Sequence, residues 1–533
     1  MDVDARVHEP EVQREAQRQD DEAGAEIPRA EGEESAGTGP PTWEDRAVDD
    51  GRAATGTPTR RPVPSPAVVA LVPPLVALVL GAVVLTRGTG LWYDELFSTE
   101  VARLPLAEIL RAAWEGRGTT WYLRDIPPSY NLPWYVVAHV VLLLPGTDND
   151  LALRVLALVC GAAAAGVLAA AVARLADDRR VGLVAGLVTA LNPLVLEWSV
   201  EARSYGLALL MTAGTAYGLA RWLDRARWGL LVFGLCAAGA GLAHWYALLP
   251  VAGLTVAGMV LAPRRAMWLA LVAAVAAVPT LGLVALNLAT VADRNAALLY
   301  DTAGRLPLFA AWRWSGKDVV LAAVVTVAAA LGVWRAPTRL LVVVTGWLAL
   351  PVLALLIAET EFRAVYEPRY VLPALLGLGV LTAAGVACWP WRVRVLRWGP
   401  AVVLSAVLLV TSLVASVGLL WAPPRERSDE VAAMIAAAHR PGDVVMAGDR
   451  QSALALEHYV RTRHPQMAPD LRVPPIHAAP DAAVVWYVRV RIIHGETGPV
   501  DGDVLLAGSG RRVEGQWFLR ATWTSLVVQR WVR

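Results

Sequence analysis

The chain has 533 residues, 56% of them hydrophobic and 18% charged, with a mean hydropathy of +0.46. Because soluble domains usually carry about 25% charged residues, this composition excludes an ordinary soluble protein. The formal net charge of +1 points to no acidic or basic partner, and we expect no nucleic-acid partner. Cys160, Cys236 and Cys388 all lie inside apolar runs, so they predict neither a disulfide framework nor a metal motif.

Residues 1–65 are polar, rich in Glu, Arg, Gly and Pro, and lack periodic apolar positions. This composition predicts a disordered tail. No short basic segment leads into an apolar run at the N-terminus, so we expect no cleaved signal peptide. Arg60 and Arg61 directly precede the first apolar run, and the positive-inside rule then places the tail in the cytoplasm.

From residue 66 to residue 421 the chain alternates apolar runs of about 18–22 residues with short breaks, which is typical of transmembrane helices. The run Leu132–Leu144 is too short to cross a hydrocarbon core of about 30 Å, so it predicts an interfacial or re-entrant helix in a large outer loop, 88–150. With that run excluded, every second break is an Arg cluster, which favours about eleven spans with the N-terminus inside. The predicted spans are Ala67–Leu85, Leu151–Leu175, Val181–Trp198, Ser204–Leu223, Gly229–Tyr246, Ala247–Ala262, Met267–Ala289, Val319–Trp334, Leu340–Ala358, Val371–Cys388 and Pro400–Trp421.

Residues 422–533 predict a small extracytoplasmic α/β domain. The fold class is therefore an all-α polytopic membrane protein in the plasma membrane with this domain at its C-terminus. The elements expected in the domain are helices at Asp429–His439 and Ser452–Val460, a turn at Pro441-Gly442, strands at Asp443–Ala447 and Ala482–Val490, and β structure in the alternating stretch Trp517–Val528.

The sequence Trp92-Tyr93-Asp94-Glu95 stands a few residues after the first predicted span. Because Trp and Tyr prefer the membrane–water interface, both carboxylates are predicted near headgroup level. There they could meet a water-soluble acceptor on one side and a lipid-borne substrate on the other. On residue types alone, a solvated acidic pair at a helix end is an equally good interpretation.

The other loops of the predicted outer face also hold many ionisable groups. Arg on that side runs against the usual loop bias, so it is the more informative residue type. Any one of these residues can equally well be a surface charge on a soluble loop, without a functional role. These groups lie in 124–130, 197–205, 293–300, 317–318 and 359–370.

Five motifs occur in a fixed order along the chain. They are Trp92-Tyr93-Asp94-Glu95, Asp125-Ile126-Pro127-Pro128-Ser129-Tyr130, Ala152-Leu153-Arg154, Asn192-Pro193 followed by Glu201-Ala202-Arg203-Ser204-Tyr205, and Pro368-Arg369-Tyr370-Val371-Leu372-Pro373. Together they resemble the GT-C membrane glycosyltransferases, most closely the bacterial protein O-mannosyltransferase-like and aminoarabinose-transferase-like enzymes of actinobacterial type. The resemblance covers about residues 67–421 and leaves out residues 1–65.

The resemblance implies transfer of a sugar, such as mannose or another hexose or pentose, from a polyprenyl phosphate, with inversion and on the outer face. It implies that Asp94 is the general base and that Glu95 orients Asp94 or touches the acceptor. The leaving phosphate needs positive partners, worth about 3 kcal/mol each, and Arg203 and Arg369 are the candidates. The further candidates for substrate binding are Tyr205, Tyr366, Tyr370, Asp125, Tyr130 and Glu201.

The sequence shows no dedicated metal-ligand set, and His244 is interpreted as an interfacial core histidine. We therefore expect no required cofactor, although some GT-C enzymes bind a divalent metal. The expected partners are membrane lipids, a polyprenyl-phosphate-linked sugar and an acceptor glycan, lipid or protein of the cell envelope.

Two alternatives belong to other classes. A multi-span transporter would carry ionisable groups deep in its spans or paired broken helices, whereas these spans hold almost no charge. A non-catalytic envelope scaffold would tolerate the loss of Asp94.

Overall fold

The computed structural model describes residues 63–88, 90–115, 131–146, 150–286, 312–362, 369–389, 399–492, 501–522 and 524–533. The predicted N-terminal tail lies outside these residues. Within them the chain forms a helical bundle followed by a small sheet, and no strand occurs before residue 444. A helix satisfies its own backbone hydrogen bonds, so apolar runs fold this way in a lipid environment.

Among the described residues, the helices of the bundle are labelled α1 to α15. Their bounds are α1 Pro66–Leu85, α2 Tyr93–Arg103, α3 Leu106–Glu115, α4 Leu132–Leu142, α5 Asp150–Leu175, α6 Arg179–Ala190, α7 Pro193–Ser199, α8 Tyr205–Leu223, α9 Gly229–Ala243, α10 Leu248–Leu261, α11 Ala266–Leu286, α12 Val319–Arg335, α13 Thr338–Phe362, α14 Leu372–Ala387 and α15 Pro400–Val417.

Helix α1 shows how the outside of the bundle is built. Its Leu71, Leu75 and Val79 are about three-fifths exposed, at 59%, 59% and 63%. A row of large apolar side chains facing outward is suited to lipid acyl chains rather than to water. By length and composition, four helical stretches among the described residues can cross a membrane, and a bent pair adds a fifth. The six other apolar helices found there are shorter, so the count of about eleven spans stays a prediction.

The run Val181–Trp198, predicted as one span, is broken into α6 and α7 with a bend of 60°. Pro193 begins α7, where a missing N–H costs nothing, and Asn192 accepts the N–H of Val195 at 3.0 Å as its cap. The Asn192 amide also donates to the carbonyl of Trp314 at 2.8 Å. These two residues end one helix and start the next, and the bent pair together is long and apolar enough to form the one predicted span.

The run Leu132–Leu144, predicted to be a short helix, forms the 11-residue helix α4. Its interfacial or re-entrant position stays a prediction. The predicted span Met267–Ala289 corresponds to α11, and its last three residues lie outside the described part of the chain.

The C-terminal segment holds one five-stranded sheet with the order β2-β1-β3-β5-β4. β1 runs parallel to β2 and β3, and β5 is antiparallel to both β3 and β4. The strands are β1 Val444–Ala447, β2 Leu471–Arg472, β3 Val484–Ile492, β4 Arg512–Arg520 and β5 Thr524–Val532, and the helices are α16 Ser428–Ala438, α17 Arg450–Arg463 and α18 Asp501–Gly508.

The predicted elements of this segment are confirmed for α16, α17, β1 and β3. The β structure predicted for Trp517–Val528 is also confirmed, since the stretch covers the end of β4 and the start of β5, which pair antiparallel. Aliphatic side chains of α16 and α17 share one apolar core with the sheet, so the sheet is covered on that face.

Described members of the Arg clusters predicted to be cytoplasmic meet at one end of the bundle, and the predicted cluster at 392–397 lies outside the described residues. Asp224, which follows α8, pairs with Arg339 at 2.8 Å and with Arg174 at 3.5 Å. Arg265 donates to the carbonyl of Trp222 at 3.0 Å. Helix direction places the motif residues around Asp94 at the other end. The structure therefore separates the two sets of polar residues, and which end faces the cytoplasm stays a prediction.

Candidate active site

Asp94 lies in the first turn of α2, with a side chain that is 21% exposed. Its carboxylate oxygen Oδ2 is 3.5 Å from Nη1 of Arg369 and 3.8 Å from Nη2 of Arg203. The residues come from three distant parts of the sequence. A carboxylate that reaches solvent between two guanidinium groups can receive a proton and can share its cations with an anionic ligand.

Glu95, the next residue, is fully buried. Arg154 donates to both carboxylate oxygens, from Nε to Oε1 at 2.7 Å and from Nη2 to Oε2. The backbone N–H groups of Ala202 and Trp92 donate to Oε1 at 2.8 Å and to Oε2 at 3.3 Å, respectively. The bond from Trp92 closes a turn at the start of α2. Of the two roles predicted for Glu95, this geometry favours orienting Asp94 over touching an acceptor.

Arg203 lies in the turn between α7 and α8 and reaches α2. Its Nη1 donates to the Asp94 carbonyl at 3.1 Å and to the Ser98 hydroxyl at 2.9 Å. Its Nε is buried and has no hydrogen-bond partner among the described residues. Burial lowers the pKa of Arg203, but the Asp94 carboxylate more than offsets this and raises it above its usual value. Arg203 therefore remains a cation beside Asp94.

Arg369 lies three residues before the start of α14 and is 8% exposed. Its guanidinium carbon lies 5.6 Å from the ring centre of Trp92, 5.3 Å from that of Trp198 and 5.2 Å from that of Tyr370. Arginine stacked on aromatic rings keeps its charge and its fixed donor geometry.

An aromatic cluster continues from this arginine. Tyr205 and Tyr370 lie on two sides of His244, with ring centres 5.7 and 5.4 Å away. Tyr246 stacks on Tyr370 at 5.5 Å. The His244 ring nitrogen Nδ1 is buried and has no hydrogen-bond partner among the described residues. His244 is thus buried among aromatic rings beside the site, and its interpretation as an interfacial core histidine stays a prediction.

Glu201 is buried at the edge of the site. The Trp92 indole donates to Oε2 at 3.3 Å, and Arg425 Nη2 lies 2.6 Å from Oε1. Burial raises the pKa of Glu201 to about 8, although Arg425 opposes the shift. Three candidates, Asp125, Tyr130 and Tyr366, lie outside the described residues.

Four contributors were missing from the predicted site: Arg154, Trp198, Arg425 and Glu426. Arg154 belonged to a quoted motif, and Trp198 stands in a loop that the sequence singled out. No local signal marks Arg425 or Glu426, because they follow the last apolar run. Glu426 is buried beside α2 and accepts the backbone N–H of Tyr93.

No group of three or more His, Cys, Asp or Glu side chains placed to hold a metal ion occurs in the part of the chain that the structure describes. The expectation that no metal is required stays a prediction.

No protein-family model matches the sequence, and no curated protein matches it either. Solved structures do match. The apo crystal structure of ArnT from Cupriavidus metallidurans is 15% identical with a TM-score of 0.50, and the match covers 86% of this chain and 97% of ArnT. ArnT bound to undecaprenyl phosphate is 16% identical with a TM-score of 0.52 and the same coverage.

The chain has the ArnT fold. The predicted resemblance to GT-C proteins is therefore confirmed at the level of the fold. An Archaeoglobus fulgidus oligosaccharyltransferase complex with Zn and sulfate is 10% identical with a TM-score of 0.46, and the match covers 85% of this chain and 72% of that protein.

Proposed function

We propose that this protein is an inverting membrane glycosyltransferase that moves a sugar from a polyprenyl phosphate to an acceptor outside the cytoplasm. The observation that carries the proposal is the position of the Asp94 carboxylate between Arg203 and Arg369. The ArnT fold supports it, since the ArnT structure with undecaprenyl phosphate shows that a protein of this fold accommodates a polyprenyl phosphate.

In the proposed reaction, an acceptor hydroxyl attacks the anomeric carbon of the donor sugar. Asp94 removes the hydroxyl proton as the new carbon–oxygen bond forms. The bond between the anomeric carbon and the phosphate oxygen breaks on the opposite face, which inverts the configuration. Polyprenyl phosphate leaves with the bonding electrons, so no general acid is needed.

Arg203 and Arg369 supply positive charge for the leaving phosphate. Guanidinium groups suit phosphate because their N–H groups form two parallel hydrogen bonds to its oxygens. Their separations from Asp94, 3.8 and 3.5 Å, exceed the roughly 2.7–2.9 Å of a tight charge-assisted hydrogen bond. A phosphate can therefore compete for them, and its binding would release Asp94 to act as a base.

In this proposal, Glu95 and Arg154 act indirectly, by positioning Asp94. Their buried pair fixes the first turn of α2, and so fixes the direction of Asp94. Tyr205 and Tyr370 line the same region and provide aromatic surface beside the two arginines.

The test is turnover by the purified full-length protein in lipid nanodiscs. A panel of polyprenyl-phosphate-linked hexoses and pentoses is supplied together with extracted envelope glycans, lipids and proteins. We expect sugar-dependent release of polyprenyl phosphate and a product of inverted anomeric configuration. Release with retained configuration would contradict the mechanism, and absence of release from every donor would contradict the function.

A further inference from the structure

The chain between the last helix of the bundle and the sheet, Ala422–Glu426, is here called the connecting segment. Its path is fixed at both ends. Arg87, just after α1, donates to the carbonyl of Ala422, and Thr522 donates its backbone N–H to the carbonyl of Pro424 at 3.0 Å. The segment is thereby held against the end of the bundle that carries the candidate site.

Arg425 of the connecting segment points into the bundle, with a side chain that is 12% exposed. Its Nη2 lies 2.9 Å from Oε1 of Glu197 and 2.6 Å from Oε1 of Glu201. Its guanidinium carbon lies 3.9 Å from the ring centre of Trp198 and 4.9 Å from that of Trp92. Arg425 is therefore held both by two carboxylates and by contact with two indole rings.

The same two tryptophans contact Arg369, at 5.3 and 5.6 Å. They meet edge to face, with ring centres 6.5 Å apart. The Trp92 indole is also held by Glu201, the carboxylate that Arg425 binds. A continuous set of contacts thus runs from Arg425 through the indoles to Arg369, and from Arg369 to Asp94.

Glu426 ties the connecting segment to α2 by a second route. Gln451 of α17 donates to its Oε1, and the backbone N–H of Tyr93 donates to its carboxylate. Tyr93 is the first residue of α2, and Asp94 is the second. Both charged residues of the segment therefore reach the turn that carries Asp94.

We infer that Arg425 is a positioning residue of the candidate site, which holds Trp92 and Trp198 in the orientation that seats the Arg369 guanidinium beside Asp94. The inference rests on the proposed function, because it assigns Arg425 to the binding of the donor phosphate. It also gives the C-terminal part of the chain a role in the reaction, since the segment leading into the sheet completes the site.

A double-mutant cycle tests this inference with undecaprenyl phosphate as the probe. Equilibrium binding is measured for full-length wild type, Arg425→Gln, Arg369→Gln and the double variant, in nanodiscs of one fixed lipid composition. Arg427→Gln is the matched control, because Arg427 is two residues away, 39% exposed and paired only locally with Glu430 among the contacts described. Melting temperatures are recorded for all variants.

We expect each single variant to raise the Kd about tenfold and the double variant to stay within about twofold of Arg369→Gln, since residues that act through one contact are not additive. The control should bind like wild type. If Arg425→Gln does not fold, Arg425→Lys replaces it in the cycle, because lysine keeps the charge beside Glu201 but cannot stack a planar group on Trp198.

The outcomes separate the two claims. If wild type does not bind undecaprenyl phosphate, the proposed function fails. If wild type binds and Arg369→Gln weakens binding while the Arg425 variants bind normally, only the inference fails. The inference also fails if the Arg425 effect persists undiminished in the Arg369→Gln background, because a general structural defect would add to the loss of Arg369.

Discussion

Asp94 and Glu95 are adjacent in sequence, yet only the Asp94 carboxylate is accessible to solvent. Asp94 keeps part of its carboxylate in contact with solvent, whereas Glu95 has both oxygens bound inside the protein. A general base must reach its substrate. The structure therefore supports a division in which Asp94 performs the proton transfer and Glu95 holds the turn in place.

Glu95→Gln should lower stability strongly, because it leaves Arg154 charged and buried without its carboxylate. Breaking a buried ion pair by removing one partner costs about 3–5 kcal/mol. Thermal melting of the purified variant measures the effect. Glu115→Gln, an exposed change at the end of α3, is the control and should melt like wild type. A wild-type melting temperature for Glu95→Gln would contradict the role assigned to this pair.

Arg203→Ala and Arg369→Ala should each reduce kcat/KM for the lipid-linked donor. Removing one preorganised charge partner of a transition state typically costs about 10²–10³-fold. Steady-state kinetics with varied donor concentration measure the loss. Arg339→Ala, at the other end of the bundle beside Asp224, should leave the kinetics unchanged. If both variants retain wild-type donor kinetics, the phosphate binds elsewhere.

The sequence identified Asp94, Arg203, Tyr205, Arg369 and Tyr370 because each stands in a motif of recognisable type and order. It did not identify the contact between Glu197 and Arg425, whose residues are 228 positions apart. Nothing local specifies such a pair, since it depends on where the chain returns after the helical bundle. Long-range packing, rather than residue type, decides which charged side chains meet.

At the scale of elements, long apolar runs predicted most helices, because a helix in lipid must satisfy its own backbone groups. The failures lie where a run is interrupted by local chemistry. Asn192-Pro193 breaks one predicted span at an otherwise apolar position. The alternating stretch Trp517–Val528 predicted β structure, but its pattern did not indicate where β4 ends and β5 begins.

The orientation of the helices is testable by labelling single cysteines with an impermeant reagent in intact cells, in a background without the three native cysteines. Cysteines near positions 179, 225, 264, 335 and 394 should be protected, because Arg clusters favour the cytoplasm. Cysteines placed near positions 94, 125, 201, 294 and 361, and in the segment after Trp421, should be labelled. Labelling at 225 without labelling at 125 would invert the arrangement and place the candidate site inside the cell.

At the scale of the whole molecule, the sheet and the helical bundle are joined by a buried histidine. His458 of α17 is 1% exposed, with Nδ1 3.0 Å from Oε1 of Glu100 on α2 and Nε2 2.9 Å from Oδ1 of Asp150 on α5. Burial alone would lower the pKa of His458, but hydrogen bonds and charge from the two carboxylates outweigh it and raise the pKa. An imidazolium that donates to both carboxylates best fits this geometry.

This arrangement predicts a pH-dependent stability. A histidine whose pKa is raised by folding stabilises the fold fully below its unfolded pKa of about 6.5, and the contribution is lost as pH rises through the folded pKa. The melting temperature of wild type should therefore fall toward that of His458→Gln as pH rises from about 6 to 9. His477→Gln, an exposed position, should parallel wild type. A difference between wild type and His458→Gln that is constant across this range would contradict the prediction.

In the proposed reaction, Asp94 is the base of a transfer from a polyprenyl phosphate. The most direct measurement compares wild type with Asp94→Asn, a change of one oxygen to one NH2 group, for turnover of the lipid-linked sugar. Loss of a general base typically costs about 10²–10⁴-fold in rate, and we expect a loss of this size with an unchanged melting temperature. Near-normal turnover by Asp94→Asn would contradict the account.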